Sequence, residues 1–512
     1  MNAPAENRRI ARNAVYLYGR MLLTVGVSLY TTRVVLDLLG VDNYALYQLV
    51  GGIVAILGFI NGTMALATQR FMNYEMGVGD SRRLSRTFST AMIIHLLIAA
   101  VIVLAAETVG LWYVNHRLVI PPERMFAANV TYQLSILAAV AGVVQIPYVA
   151  AVMANERMGF YALAQILNVV LKLVVALALM LFGTLDTLII YAVLMLVAAG
   201  IVLLTYTLYC RRHFPECRFT PTRDKEIFAA MLRFSGWDLY GNLSYTARMQ
   251  GTIVILNKFG GLTLNAGGNL NLTVSGTLTS FAGAVISAFR PQIIQQYAKK
   301  DFPRMLSLID NCARYSFLLL GLLVVPVFLE IDTLLSLWLP EVPPYTADFC
   351  RLGFIAACGE LLIIVACIGI HATGKVKAFS FITGTLYLLE LPAMYFMLRA
   401  THAPSVVYLT HCLFVTVILL TDTIILHRLI PPFSISRFWW HGVMVPLFII
   451  AAAALLTWAV QTFGSPSFLR VVCTALVSTA MLLSLTFTFA ISPQVRRDII
   501  SRLRSKLGAL PR

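Results

Sequence analysis

Long apolar runs recur along this chain at 13–37, 44–69, 87–112, 126–152, 160–182, 185–209, 234–257, 262–289, 308–332, 348–371, 376–398, 405–427, 438–461 and 468–491. Each is long enough to cross a bilayer core as a helix, which takes about 20 mostly apolar residues. Composition agrees: 59% of the residues are hydrophobic and 12% are charged, against about 45–50% and 25% in a soluble domain. The expected fold is an all-α polytopic integral membrane protein with about 14 transmembrane helices. The runs are continuous rather than alternating, which excludes a transmembrane β-barrel. The first run lacks a small-residue cleavage site before the next, so it is expected to stay in the membrane rather than act as a signal peptide. One stretch does alternate: Asn269, Asn271, Thr273, Ser275, Thr277 and Thr279 are spaced two apart. A lone strand in lipid would leave its backbone unsatisfied, so this segment is read as a polar, broken helix lining a wet path.

The net charge of +16 invites a nucleic-acid partner, but the placement of the charges argues against one. With the N-terminus in the cytoplasm, 28 of the 39 Lys and Arg residues fall in cytoplasmic segments. Six lie outside (Arg117, Arg124, Lys258, Arg351, Arg399 and Arg470), and five lie within spans. That asymmetry is the positive-inside bias. It is expected to place both termini of a multi-pass protein in the cytoplasm.

Soluble chemistries find no footing. The eight cysteines form no CxxC pair, and Cys210 and Cys217 lie near a cytoplasmic loop, where no stable disulfide is expected. No HExxH or metal-spaced histidine cluster occurs, and no Walker loop. The chain is therefore not expected to be an enzyme or to carry a cofactor. The glycine-rich stretch 260–268 is read as an outer loop and helix start.

The longest cytoplasmic loop divides the chain. The expected layout is an N-terminal six-helix lobe (1–210), a cytoplasmic linker (211–233), a C-terminal six-helix lobe (234–430), two further transmembrane helices (431–491), and a basic amphipathic tail (492–512). A shift of 221 residues aligns Arg12 with Arg233, Gly40 with Gly261, Gly62 with Gly283, Asp80 with Asp301 and Arg83 with Arg304, which fits a duplication with the two copies inserted in the same sense. In the tail, Val495, Ile499, Leu503 and Leu507 recur every four residues among arginines. That pattern suits a helix lying on anionic membrane lipids.

Charges inside spans need a reason, since each costs about 2.5–3.5 kcal/mol even on lenient insertion scales. Residues three or four apart share a helix face. Asn13, Tyr16, Arg20, Thr24 and Thr31 make one polar stripe; Tyr161, Gln165, Asn168 and Lys172 make a second; Gly241, Ser244, Tyr245, Arg248, Gly251 and Thr252 make a third. A hydrated, positively lined cavity follows, with Arg20, Lys172 and Arg248 as substrate-binding cations and Asn13, Thr24, Gln165, Asn168, Ser244 and Tyr245 as its polar lining. The alternative is structural pairing of these cations with Asp238, Glu360, Glu390 or Asp422. Glu360 and Glu390 are candidates for ion coupling, with H+ or Na+ both open. Arg33 and Arg314 are read as snorkelling near span ends.

The stretches RMLLTVGVSLYTTRVVLDLLGVDNYALYQLVGG (20–52), ATQRFMNYEMGVGD (67–80), AETVGLWYVNHRLVIPPERMFAANVTYQ (106–133), CRRHFPECRF (210–219), FSGWDLYGNL (234–243) and FRPQIIQQYAKKD (289–301) resemble the polysaccharide flippases of the multidrug/oligosaccharidyl-lipid/polysaccharide (MOP) exporter superfamily. The resemblance covers most of residues 7–430. It implies two six-helix lobes, alternating access, and export across a bacterial inner membrane of a lipid-linked oligosaccharide repeat unit on undecaprenyl pyrophosphate for lipopolysaccharide or O-antigen, with other polysaccharide-assembly membrane proteins as partners. Two alternatives compete: an ion-coupled multidrug exporter of the same superfamily, and a glycan polymerase or ligase. A polymerase needs a sizeable outer loop, and the longest outer connection, 331–348, is short.

Overall fold

The computed structural model describes residues 60–116, 118, 120–181, 186–220, 224–339, 342–461, 467–490, Arg496, and a spaced subset between Asn13 and Gly51. The described residues are helical wherever they are regular. They form α1 (Ile60–Val78), α2 (Ser81–His116), α3 (Pro122–Ala154), α4 (Met158–Leu181), α5 (Thr187–His213), α6 (Lys225–Ala298), α7 (Phe302–Leu329), α8 (Ile331–Trp338), α9 (Thr346–Thr373), α10 (Lys377–Thr401), α11 (Val406–Leu429), α12 (Ile435–Ala459) and α13 (Phe468–Ala490). Among the described residues, eleven helical stretches are long and apolar enough to cross a membrane, and each falls on an expected span. This is a multi-pass membrane protein. The described residues of the first expected span, Arg20 among them, are also helical, whereas Arg33 and all of the tail 492–512 except Arg496 lie outside the described residues.

Two expectations are corrected in α6. The runs at 234–257 and 262–289 are two helical segments that meet at a kink, with non-helical backbone only at Gly260 (φ −135°, ψ 16°) and Gly261 (φ 63°, ψ −152°). Gly261 occupies a conformation that other residues rarely adopt, and a Cβ on Gly260 would lie 2.1 Å from Leu264 Cδ1. The glycine-rich stretch is thus a two-residue break rather than a loop. Beyond it, Asn269–Thr279 is unbroken helix. Its period of two misleads because Ser and Thr hydroxyls bond back to the helix itself: Thr273 to the Asn269 carbonyl at 3.0 Å and Thr277 to the Thr273 carbonyl at 2.8 Å. Such back-bonding lets hydroxyl-rich helices persist in apolar surroundings.

The described helices divide into two compact units. The first comprises Met1–Leu239 and Arg290–Asp301. Here α3 packs against α1, α2 and α5, with Met72, Phe88, Tyr148, Tyr206 and Cys210 buried together. Asp80 caps α2 by accepting from the Arg82 and Arg83 amides. Asp186 caps α5 and takes both Nη atoms of Arg124, at 2.7 and 3.2 Å. A π-helical turn at Ala106–Gly110 leaves a carbonyl for Tyr132, whose hydroxyl donates to Ala106 at 2.8 Å.

The second unit comprises Tyr240–Phe289 and Phe302–Arg512. In it α9 packs between α7 and α11, α10 covers α11, and α12 and α13 pack on α7. Arg314 reaches the ends of two neighbouring helices. Its Nε and Nη1 donate at 3.2 Å to the carbonyls of His441 and Ala490, within the π-helical turns of α12 and α13. Glu330 anchors α13 by accepting from Arg470 at 2.8 Å and Thr474 at 2.9 Å.

Candidate functional site

Among the described residues, the expected site residues fall in two polar clusters, one in each unit. In the first unit, Arg20 Nη1 donates to the Tyr161 hydroxyl at 3.3 Å, and its guanidinium lies 5.3 Å from the Tyr161 ring centre. This contact joins two of the expected stripes. Tyr16 packs beside Gly159, its ring at ordinary van der Waals distance from where a Cβ would stand. Asn13 is buried and Thr24 half-buried, and among the described residues neither Asn13 Nδ2 nor the Thr24 hydroxyl has a hydrogen-bond partner. Gln165 and Asn168 are half-buried on α4 and Lys172 is exposed. Among the described residues no carboxylate forms an ion pair with Arg20 or Lys172.

The second unit presents the opposite arrangement. Arg248 on α6 is buried, and its Nη2 donates to Glu360 Oε1 on α9 at 2.6 Å. The guanidinium also lies 4.8 Å from the Tyr245 ring centre and 5.7 Å from that of Tyr387. The same Glu360 oxygen lies 3.3 Å from His411 Nε2 on α11, while His411 Nδ1 lies 2.8 Å from Glu390 Oε1 on α10. Four helices therefore contribute one chain of contacts, Arg248–Glu360–His411–Glu390. Close approach is made possible by Gly251, where a Cβ would lie 2.6 Å from Leu391, and Gly384, where it would lie 2.7 Å from the Tyr240 ring. Ser244 is buried and spends its hydroxyl on the Tyr240 carbonyl at 2.8 Å.

The chemistry of this cluster follows from counting protons. A neutral imidazole has one donor and one acceptor nitrogen, yet both nitrogens of His411 face carboxylate oxygens. One extra proton would let both contacts act as hydrogen bonds, either on a His411 imidazolium that donates to both glutamates or on one carboxyl that donates to the ring. With that proton the four groups sum to zero charge; without it they carry one buried negative charge. The proton belongs to the group as a whole.

Of the expected site residues, the structure joins Arg20 to the Tyr161 stripe and joins Arg248 to both coupling candidates. It gives Arg248 the acidic partner that the alternative reading offered it. His411 escaped sequence reasoning, which weighed histidines only by metal spacing. Its position in the middle of the 405–427 run was the available signal, since an ionisable residue inside a span is a functional candidate by default.

Known proteins share this fold. The chain aligns with a MATE transporter solved in a bent conformation at 12% identity and a TM-score of 0.68, covering 83% of this chain and 96% of that one. A Vibrio cholerae MATE transporter carrying an Asp-to-Asn substitution aligns at 14% identity and a TM-score of 0.65, covering 85% and 99%. An outward-facing multidrug-resistance MATE transporter of the MOP superfamily aligns at 14% identity and 0.65, covering 83% and 97%. No protein-family profile matches the chain, and no curated protein sequence does. At these identities the likeness is one of fold.

Proposed function

We propose that this chain is a proton-coupled membrane exporter driven by the Arg248–Glu360–His411–Glu390 cluster. One observation carries the reading: His411 sits with each ring nitrogen against a different carboxylate, so gain or loss of one proton changes the charge of a site embedded in four membrane helices. Sodium is disfavoured as the coupling ion. The Glu360 oxygen that would ligate it already accepts Arg248 at 2.6 Å, and a guanidinium at that range repels a second cation strongly at low dielectric. The bias of Lys and Arg supports cytoplasmic termini and an inner-membrane location.

The cargo of the solved transporter with this fold, a multidrug-resistance protein, supports an organic small molecule over the lipid-linked oligosaccharide to which the flippase-like stretches point. A second reading keeps that oligosaccharide as cargo. It rests on Arg20 and Lys172, membrane-embedded cations with no carboxylate partner among the described residues, which suit an anionic diphosphate better than a cationic drug.

Transport in proteoliposomes under an imposed pH gradient tests both readings, with ethidium and a lipid-linked oligosaccharide as alternative cargoes. The wild type should move one of them faster with the gradient, and Glu390→Gln and His411→Asn should each lose at least about tenfold of that gain. Oligosaccharide transport lost on Arg20→Ala selects the second reading; ethidium transport that survives it selects the first. Wild-type transport of either cargo that ignores the gradient overturns proton coupling.

A further inference from the structure

A second carboxyl lies on the same helical seam. Asp422 of α11 is fully buried, accepts from the Thr383 hydroxyl of α10 at 2.6 Å through Oδ1, and leaves Oδ2 without a hydrogen-bond partner. No ion pair involves it among the described residues. It was expected as a partner for a membrane cation, and it has a hydroxyl instead. Glu390 repeats the pattern in mirror image: Oε1 is held by His411 from the other helix, and Oε2 has no partner. Asp422 lies eleven residues beyond His411, about 16 Å along α11, and Thr383 lies seven residues before Glu390, about 10 Å along α10. Both spacings are close to whole turns, so the two pairs share one face of each helix. Tyr387 stands between them on that face of α10, and its ring meets Tyr245 edge-on at 5.3 Å beside Arg248.

The surroundings of Asp422 are otherwise neutral. Gly359 against Val415 and Gly369 against Leu426 set the register of α9 on α11 and bring Val365 and Ala366, both buried, to the depth of Asp422. Of the titratable side chains of α9 on either side of that depth, Cys367 and His371 contact each other at 3.2 Å, and Glu360 is paired with Arg248. From α12, Trp439 reaches the neighbouring Thr423 at 3.4 Å. An ionised Asp422 would lack a cation here; a protonated one could donate to the Thr383 hydroxyl. Buried groups left incomplete in one state are natural candidates for completion in another.

From this geometry we infer that Asp422 is a second proton-binding carboxyl, exchanging its proton with the His411–Glu390 pair along the α10–α11 seam. The transfer is of a proton alone: it leaves the Glu390 carboxyl, or the imidazolium of His411, and neutralises the Asp422 carboxylate. The inference deepens the proton-coupled reading and rests on it for its role, though not for its test.

Infrared difference spectroscopy of the full chain in phosphatidylglycerol proteoliposomes, titrated with pH, needs no cargo. The wild type should show a protonated-carboxyl band that titrates. Asp422→Asn should remove it, and Glu390→Gln should displace its midpoint. Thr383→Val, which keeps the acid and deletes its hydroxyl partner, should shift the position of the Asp422 band, so the assignment survives even if Asp422→Asn misfolds. If no band responds to Asp422→Asn or Thr383→Val, the inference is wrong while the coupling site stands. If the Asp422 band is present and neither Glu390→Gln nor His411→Asn moves its midpoint, the exchange fails.

Discussion

Arg20 and Arg248 are the same residue type in the same solvent, and the protein treats them in opposite ways. Arg248 is neutralised: a carboxylate lies 2.6 Å away, a histidine ties that carboxylate to a second, and two tyrosine rings flank the guanidinium. Arg20 has a phenol at 3.3 Å and no carboxylate among the described residues. A buried ion pair adds little net stability, but breaking one by removing a single partner is costly. The second unit thus pairs its charge within a chain of carboxylates and an imidazole, whereas the first sets only a phenol against its charge among the described residues. The first arrangement suits a site that exchanges protons, and the second suits one that meets a ligand.

The comparison breaks most severely at Glu360. Glu360→Ala strands Arg248 in the interior and should cost about 3–5 kcal/mol, read as loss of folded protein by fluorescence-detected size exclusion. Replacing both partners, Arg248→Met with Glu360→Met, should recover much of that abundance while abolishing proton-driven transport. An abundant, active Glu360→Ala variant would dissolve the contrast. The next effect is at Tyr161. Tyr161→Phe keeps the ring under Arg20 and deletes one hydrogen bond to a charged group, so it should cost about 1.5–3 kcal/mol at most, with Arg20→Met no worse. Thermal unfolding of the two variants measures this, and a loss on the scale of Glu360→Ala would mean that Arg20 has a structural partner after all.

A smaller effect sharpens the comparison from outside the spans. Burial pushes the Glu75 carboxyl of α1 above its ordinary value, with Arg83, 3.1 Å away, pulling the other way. The folded state then holds this proton more tightly than the unfolded chain. Stability from this group is greatest below the ordinary carboxylate range and falls as pH rises through it. Glu75→Gln should flatten that slope in a pH series of unfolding midpoints, leaving the neutral-pH midpoint unchanged or raised. A steeper slope would refute the sign. The smallest change should come from Lys172→Gln, which removes an exposed side chain and should leave stability within about 0.5 kcal/mol; a larger loss by thermal unfolding would place an unseen partner against it.

Much of this architecture was legible from hydropathy alone, because in lipid a chain has few ways to satisfy its backbone and length sets the rest. The polar stripes were legible too, since a 100° step places Tyr161 with Gln165, and Ser244 with Arg248, whatever they touch. What stayed hidden was pairing between helices. Nothing in the spacing of Arg248, Glu360, Glu390 and His411 along the chain indicates that four separate helices bring them together, and glycines such as Gly251 and Gly384 matter only through what approaches them. The alternation at Asn269–Thr279 misled for a related reason. Its hydroxyls are satisfied one turn back on their own helix, which a pattern of residue types does not reveal.

The path of α6 has a consequence for how the protein is made. Its first turns, through Leu239, and its last, from Arg290, belong to one unit, and the stretch between them belongs to the other. Gln292 and Gln295, near its end, donate to Glu156 and to the Ala154 carbonyl, each at 3.2 Å. The first unit is therefore incomplete when the ribosome has finished its six expected spans. It waits for roughly eighty further residues, two more membrane passages, before the segment that closes it emerges. A cut at the long cytoplasmic loop, although it falls between the two sequence halves, would release a first half without the segment whose Gln292 and Gln295 bond to Glu156 and Ala154.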